Sequence, residues 1–208
     1  MAWDYAECNV FSTSSGSYSN LLERMVKAFE TLGRGRIGEV SQFDAQSDCS
    51  LRNIMVSTDP PYYDNIGYAD LSDYFYVWMR QSLKNTYPKL FRTMLVPKAE
   101  ELVATPYRFE GSTEKARDFF EDGMLHTCQQ IYQYAREDIP VTIYYAYKQS
   151  DTDEKADGAK TTSTGWETML SAIIKAGFAI TGTWPMRTEK PGRSIEIGTN
   201  ALASSIII

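Results

Sequence analysis

Histidine and cysteine are scarce in this sequence, which has one histidine, His126, and three cysteines, Cys8, Cys49 and Cys128, among 208 residues. The cysteines are far apart and form no CxxC pair, so with one histidine they offer no zinc-ligand spacing. A disulfide framework is not expected either, and the composition fits a reducing cytoplasm. We therefore predict a cytoplasmic protein without a metal site.

Basic charge is also in short supply, because 21 Lys and Arg stand against 27 Asp and Glu and leave a net charge of −6. This argues against a dedicated nucleic-acid scaffold, which needs clustered Lys and Arg, but not against an enzyme with one local basic face. Long apolar runs are missing as well. The N-terminus MAWDYAEC does not resemble a signal peptide, and the closing ALASSIII is too short to span a bilayer. We expect no membrane partner, and a chain truncated inside its last strand.

Apolar periodicity alternates between helix and strand along the chain. Helical spacing occurs in NLLERMVKAFETL, ADLSDYFYVWMRQSL, residues 113–136 and WETMLSAIIKA, while IGEVSQFDA, LRNIMVS, PVTIYYAYK, FAITGTW and ALASSIII are typical of strands. This order predicts an α/β fold with one mainly parallel sheet, helices on both faces, and an antiparallel edge formed by the last two strands. Ligands of such sheets bind outside the carboxyl ends of the strands, where Asp44 and Asp59 are expected.

The motif with the clearest chemistry is STDPPYYDNIGY, residues 57–68, which follows the apolar run LRNIMV. Pro60 and Pro61 have no N–H, so the chain must leave the sheet in a stiff turn. That turn presents two acceptors, the Asp59 carboxylate and the Pro60 carbonyl, beside the flat ring of Tyr62. Taken alone, the same residues also suit a rigid turn without function.

Two acceptors and a ring are suited to an exocyclic amino group on a planar base. Such a nitrogen is a poor nucleophile because its lone pair is delocalised into the ring. Hydrogen bonds from both of its protons would draw it toward a tetrahedral shape, and correct positioning can supply about 7–11 kcal/mol of a barrier. Stacking on Tyr62 would add about 1–3 kcal/mol. A base in a duplex must first be flipped out of the helix.

STDPPYYDNIGY resembles motif IV of the amino-directed, S-adenosylmethionine-dependent methyltransferases, the (D/N/S)PP(Y/F/W) signature. Longer stretches are similar to the prokaryotic adenine-specific DNA methylases described as containing a zinc ribbon: DPPYYDNIGYADLSDYFYVWMRQSL, LVPKAEELVATPYRF, GWETMLSAIIKAGFAITGTWPMRTE and GTNALASSIII. The resemblance covers nearly the whole chain. It implies an incomplete Rossmann-like methyltransferase sheet, S-adenosylmethionine as cofactor, DNA as partner, and a single partial catalytic domain over residues 1–208. Within that domain we expect an N-terminal loop over 1–19 and a mobile loop over 150–164.

The resemblance also assigns site residues. Asp59, Pro60, Pro61 and Tyr62 would form the catalytic tetrapeptide, with Asp59 also near the cofactor, and Tyr63 and Asp64 would extend the substrate pocket. Asp44, in QFDA, would lie near the cofactor's adenine, although an Asp there can also cap a turn. The following residues complete the predicted site: Asn9, Ser14 and Gly16 for the cofactor, and Arg187, Lys190 and Arg193 for DNA phosphates.

The sequence departs from the family in two places. A clean Gly-rich cofactor loop is missing, since NVFSTSSGS echoes it only loosely, and the zinc ribbon is absent. Three alternatives therefore stay open beside adenine N6 methylation of DNA. The chain could methylate the amino group of cytosine, it could methylate a protein amide, or it could be a non-catalytic fragment that assembles with a partner carrying the cofactor loop.

Overall fold

A computed structural model describes residues 9–33, 35–64, 66–146, 164–186 and 205–208. The chain divides into two compact units, Met1–Gln42 and Phe43–Ile208. In the described ranges, no helix is long and apolar enough to cross a bilayer.

The first unit contains helix α1, Tyr18–Thr31, which begins within the segment predicted to be a loop. Its N-cap is Ser17, whose hydroxyl accepts a hydrogen bond from the Asn20 N–H at 3.5 Å. The predicted apolar stripe of α1 is present, but Leu21, Met25 and Phe29 are all exposed. The helix therefore forms from local capping and spacing without burying its apolar face within this unit.

The second unit contains the sheet and three further α-helices. The helices are α2 (Tyr68–Leu83), α3 (Thr113–Tyr134) and α4 (Thr164–Lys175), with a short 3-10 helix at Pro106–Phe109. The strands are β1 (Ser57–Thr58), β2 (Thr142–Ala146), β3 (Trp184–Met186) and β4 (Ser205–Ile207), in the spatial order β1-β2-β4-β3. β1 runs parallel to β2, whereas β4 is antiparallel to both β2 and β3. The predicted α/β class and the antiparallel pairing of the last two strands are confirmed, in a small mixed sheet.

The core of the second unit lies where α3 and α4 pack on β2. The predicted stripe of α3 is confirmed: the residues Ala116, Phe120, Met124, Cys128 and Ile131 are all at most 5% exposed. Gly123 lies on the same face, and a Cβ there would come within 2.2 Å of a Leu102 methyl group. α4 is followed by Gly177, with φ of +106°, which supports the prediction that this glycine ends the helix.

Three predicted strands differ from the structure. IGEVSQFDA forms no strand: Ile37 and Val40 are 98% and 100% exposed, and the described residues place no partner strand beside them. A strand needs a neighbour for its backbone hydrogen bonds, so pattern alone did not suffice. β1 is only two residues long, with one further bridge between Ile54 and Ala135, and the strand predicted at FAITGTW begins only at Trp184.

Candidate active site at the Asp-Pro-Pro-Tyr turn

The Asp-Pro-Pro-Tyr turn lies at the carboxyl end of β1. Ser57 is in register with Thr142 and Thr58 with Ile143, so Asp59 leaves the sheet next to the middle of β2. The Asp59 side chain is exposed, whereas Pro60 and Pro61 are half-buried. In the described part of the chain, no hydrogen bond reaches the Pro60 carbonyl. The turn therefore presents both predicted acceptors at the edge of the sheet where open α/β folds bind ligands.

Tyr62 is tied to the acid of the same turn. Its hydroxyl donates a hydrogen bond of 2.7 Å to Asp59 Oδ1. Its ring is half-buried and meets the Tyr145 ring edge-on, with 5.7 Å between the ring centroids. Burial, and then the hydrogen bond to Asp59, raise the pKa of the Tyr62 phenol, so it stays a donor at neutral pH. The contact leaves Asp59 Oδ2 without this partner and fixes the carboxylate relative to the ring.

Tyr63 anchors the turn to the core. It adopts a positive φ of 42°, which is uncommon for a bulky residue and points its side chain away from the path of the strand. Its ring packs edge-on against Phe120 at 5.1 Å, and its carbonyl accepts a hydrogen bond of 3.0 Å from the Ala104 N–H. Asp64, the next predicted pocket residue, is exposed. Tyr63 thus supports the site through packing.

A second layer behind the turn comes from β2 and the start of α4. Tyr145 is 1% exposed, and its hydroxyl donates to the Gly165 carbonyl at 3.2 Å. A Cβ at Gly165 would lie 2.9 Å from Tyr63 Cβ, so only glycine fits there without displacement. Trp166 lies beyond, with its ring 6.3 Å from that of Tyr145. Sequence reasoning missed Tyr145 and Gly165, because their importance depends on contacts across the fold.

An ionic cluster fixes the start of α2 directly after the turn. Arg108 Nη2 lies 2.8 Å from Asp70 Oδ2 and 2.8 Å from Glu101 Oε2, while Glu101 Oε1 accepts from the Ala69 N–H at 2.9 Å. Tyr107 also donates from its hydroxyl to Asp70. The hydrogen bond from Tyr107, and then the one from Arg108, lower the pKa of Asp70. The side chains of Arg108 and Glu101 are only 13% and 15% exposed, so this cluster is a firm attachment.

The residues predicted for the cofactor are engaged in local turns. Asp44 accepts from the Gln46 N–H at 3.0 Å and from the Ser47 hydroxyl at 3.2 Å. In the first unit, Asn9 Oδ1 accepts from the Phe11 N–H at 3.0 Å. Ser14 and Gly16 lie in the turns before α1. The basic residues predicted for DNA contact, Arg187, Lys190 and Arg193, and the predicted mobile loop up to residue 163 lie outside the described residues.

Two cavities occur in the second unit, and neither is lined by residues 59–62. One of about 330 Å³ lies between α3 and α4, with Arg117, Glu121 and Lys175 among its lining residues. The other, of about 590 Å³, is lined by residues 135–141 before β2, together with Ile173, Phe178 and Ile208. Because β1 and β2 are parallel, this larger cavity lies at the end of the sheet opposite to the Asp-Pro-Pro-Tyr turn.

Comparisons with known proteins give no assignment. No family model matches the chain, and neither the curated proteins nor the solved structures include a match. Across the described ranges, no group of three His, Cys, Asp or Glu side chains is arranged to hold a metal ion. The chemistry of the turn is therefore the basis for a functional assignment.

Proposed function

We propose that the chain is the catalytic part of a methyltransferase that methylates the exocyclic amino group, N6, of adenine in DNA. The observation that carries the proposal is the exposed Asp59 carboxylate beside the unpaired Pro60 carbonyl and the half-buried Tyr62 ring, at the carboxyl end of a parallel strand. The parallel β1–β2 pair with an antiparallel edge supports a Rossmann-like methyltransferase sheet.

The acceptor would be gripped by two oxygens of the turn. Tyr62 occupies Asp59 Oδ1, so one amino proton of the base donates to Asp59 Oδ2 and the other to the Pro60 carbonyl. Both bonds draw the nitrogen out of conjugation and turn its lone pair away from the turn, toward a methyl donor. The new N–C bond leaves an extra proton on nitrogen, and the Asp59 carboxylate is the adjacent group that can accept it.

The base would stack on the exposed part of the Tyr62 ring. One edge of that ring is fixed by Tyr145 and its hydroxyl is fixed by Asp59, so little side-chain entropy is lost when a base binds. A base inside a duplex cannot reach a turn at the rim of a sheet, so the adenine must be extruded. This requirement favours weakly paired A·T steps.

The methyl donor of the proposed reaction is S-adenosylmethionine, which supplies an electrophilic methyl group on sulfur. The described residues do not fit it well, because Asp44 and Asn9 use their side chains in their own turns and neither cavity reaches the Asp59 turn. The described residues therefore account for gripping the amino group and not for holding the donor.

This mismatch favours a second candidate function, in which the chain is a binding module for a partner that supplies the cofactor site. The exposed apolar faces of α1 and α2 are in keeping with such a partner: Phe29 is 69% exposed and Trp78 is 62% exposed. Under this alternative, the Asp59 turn acts only in the assembled complex.

Two measurements on the purified chain separate these functions. Calorimetry with S-adenosylmethionine should show binding if the chain is an enzyme by itself, whereas no heat at millimolar ligand supports the binding module. A labelled-methyl assay on DNA, RNA and protein should then place the label on adenine N6. Label on cytosine or on a protein amide would redirect the substrate assignment without changing the grip.

A further inference from the structure

Positive charge is concentrated in one stretch of this acidic chain. Residues 74–98 contain five cationic side chains and no Asp or Glu, although the whole protein has a net charge of −6. The cations are Arg80, Lys84, Lys89, Arg92 and Lys98. This segregation creates a local field that the net charge conceals.

The stretch folds back on itself as a lobe at the carboxyl end of α2. Tyr76 and Arg80 both donate to the Thr93 carbonyl, each at 2.9 Å. The buried Phe91 ring lies 5.4 Å from the Tyr76 ring, and its N–H donates to the Tyr87 carbonyl at 3.2 Å. Residues 84–92 are thus held against the last turns of α2.

Within this lobe, three cations are available for a ligand. Arg80 is used on Thr93, and Lys98 is paired with Asp73 at 2.7 Å. Lys84, Lys89 and Arg92 are exposed, and within the described ranges none of them forms an ion pair. We call these three residues the basic lobe.

We propose that the basic lobe binds phosphates of the DNA whose adenine enters the Asp59 turn, a step that rests on the proposed function. Three exposed cations without acidic neighbours complement a polyanion. α2 starts just after the turn and has 16 residues. At 1.5 Å per residue it is about 24 Å long, close to seven steps of one DNA strand. A single duplex can therefore reach both ends of α2.

Lipid is the competing partner, because α2 also exposes apolar residues such as Phe75 and Trp78. A membrane-surface helix carries its cations on its polar face, opposite the apolar one. In α2 that opposite face is occupied by protein contacts: Arg80 bonds Thr93, and Asp73 holds Lys98. The free cations lie at and beyond the helix end instead, which favours DNA.

The test is the salt dependence of binding to a 20-base-pair DNA duplex, without cofactor. The variant combines Lys84→Gln, Lys89→Gln and Arg92→Gln. Its matched control combines Arg52→Gln, Lys115→Gln and Arg136→Gln, which removes the same charge from exposed residues that are paired with Asp48, Glu110 and Asp138. The slope of log K against log salt should fall by about 2.7 in the lobe variant, about 0.9 per phosphate lost. Affinity near 0.1 M salt should fall on the order of 100-fold.

The control should keep the slope of the unmodified protein, and each single lobe substitution should lower the slope by about one. Equal slopes for the lobe variant and the control would overturn the proposal, as would absence of DNA binding by the unmodified chain. Tighter binding to an RNA duplex or to anionic phosphatidylserine vesicles would overturn it as well. Because binding is measured without methyl transfer, an inactive protein with a lobe-dependent slope refutes the proposed function alone. An active protein with an unchanged slope refutes the lobe alone.

Discussion

Arg108 should be the most important single charge for the stability of the second unit. Its guanidinium makes two 2.8 Å contacts with Asp70 and Glu101, and Nη1 donates to the Lys98 carbonyl at 3.2 Å. Removing one partner of a buried ion pair costs about 3–5 kcal/mol, because the other charge stays buried. The Asp70 side chain is 37% exposed, so water screens its share. We expect Arg108→Leu to lower the free energy of unfolding by about 2–4 kcal/mol.

The matched control is Arg52→Leu. Arg52 makes two hydrogen bonds to Asp48, at 2.8 and 2.9 Å, but both side chains are 51% exposed. An exposed pair of this kind contributes about 0.2–1 kcal/mol. Both variants should be compared by urea unfolding at pH 7, followed by circular dichroism. Equal losses in the two variants would refute the assignment of the Arg108 cluster as a buried anchor.

A second substitution identifies the origin of the loss. In Arg108→Leu, the Glu101 carboxylate is left largely buried without its cation. Adding Glu101→Gln removes that charge while keeping an oxygen for the Ala69 N–H. The double variant should therefore be more stable than Arg108→Leu alone, by about 1 kcal/mol or more. A double variant that is less stable than the single one would contradict the explanation by buried charge.

Four further predictions concern the turn and its surroundings. Tyr145→Phe keeps the ring contact with Tyr62 but leaves the Gly165 carbonyl unpaired, so unfolding should cost about 1 kcal/mol less by urea titration; an unchanged midpoint would contradict this. Gly165→Ala should destabilise by about 1–3 kcal/mol, because its Cβ would crowd Tyr63. Because the pKa of Asp70 is lowered in the folded state, its stabilisation is present above its ordinary pKa of 3.8 and is lost as pH falls through the lower folded value; Asp70→Asn should flatten the acid limb of stability against pH. Burial raises the pKa of the Cys128 thiol to about 11, so iodoacetamide at pH 8 should leave it unmodified until urea unfolds the chain.

The parts that sequence predicted well depend on local chemistry. The buried stripe of α3 follows from helical spacing, and the turn at Asp59 follows from two prolines that cannot pair in a sheet. The exposed carboxylate and the adjacent tyrosine were therefore predictable, although the hydrogen bond between them was not.

The parts that sequence missed depend on long-range partners. The Tyr145 hydroxyl and the Gly165 carbonyl are 20 residues apart, and Arg108 and Asp70 are 38 residues apart. No local pattern identifies such pairs. IGEVSQFDA has a strand-like pattern but lacks a neighbouring strand in the described part of the chain, so its pattern alone misled.

The most direct test of the central claim is labelled-methyl transfer from S-adenosylmethionine to duplex DNA by the unmodified protein and by Asp59→Asn, side by side. The asparagine keeps an oxygen for Tyr62 but presents an N–H₂ donor to the adenine amino group in place of an acceptor. We predict label on adenine N6 with the unmodified protein and a rate lowered on the order of 10²–10³-fold in the variant, with Asp48→Asn unaffected. Equal rates for Asp59→Asn and the unmodified protein would contradict the account.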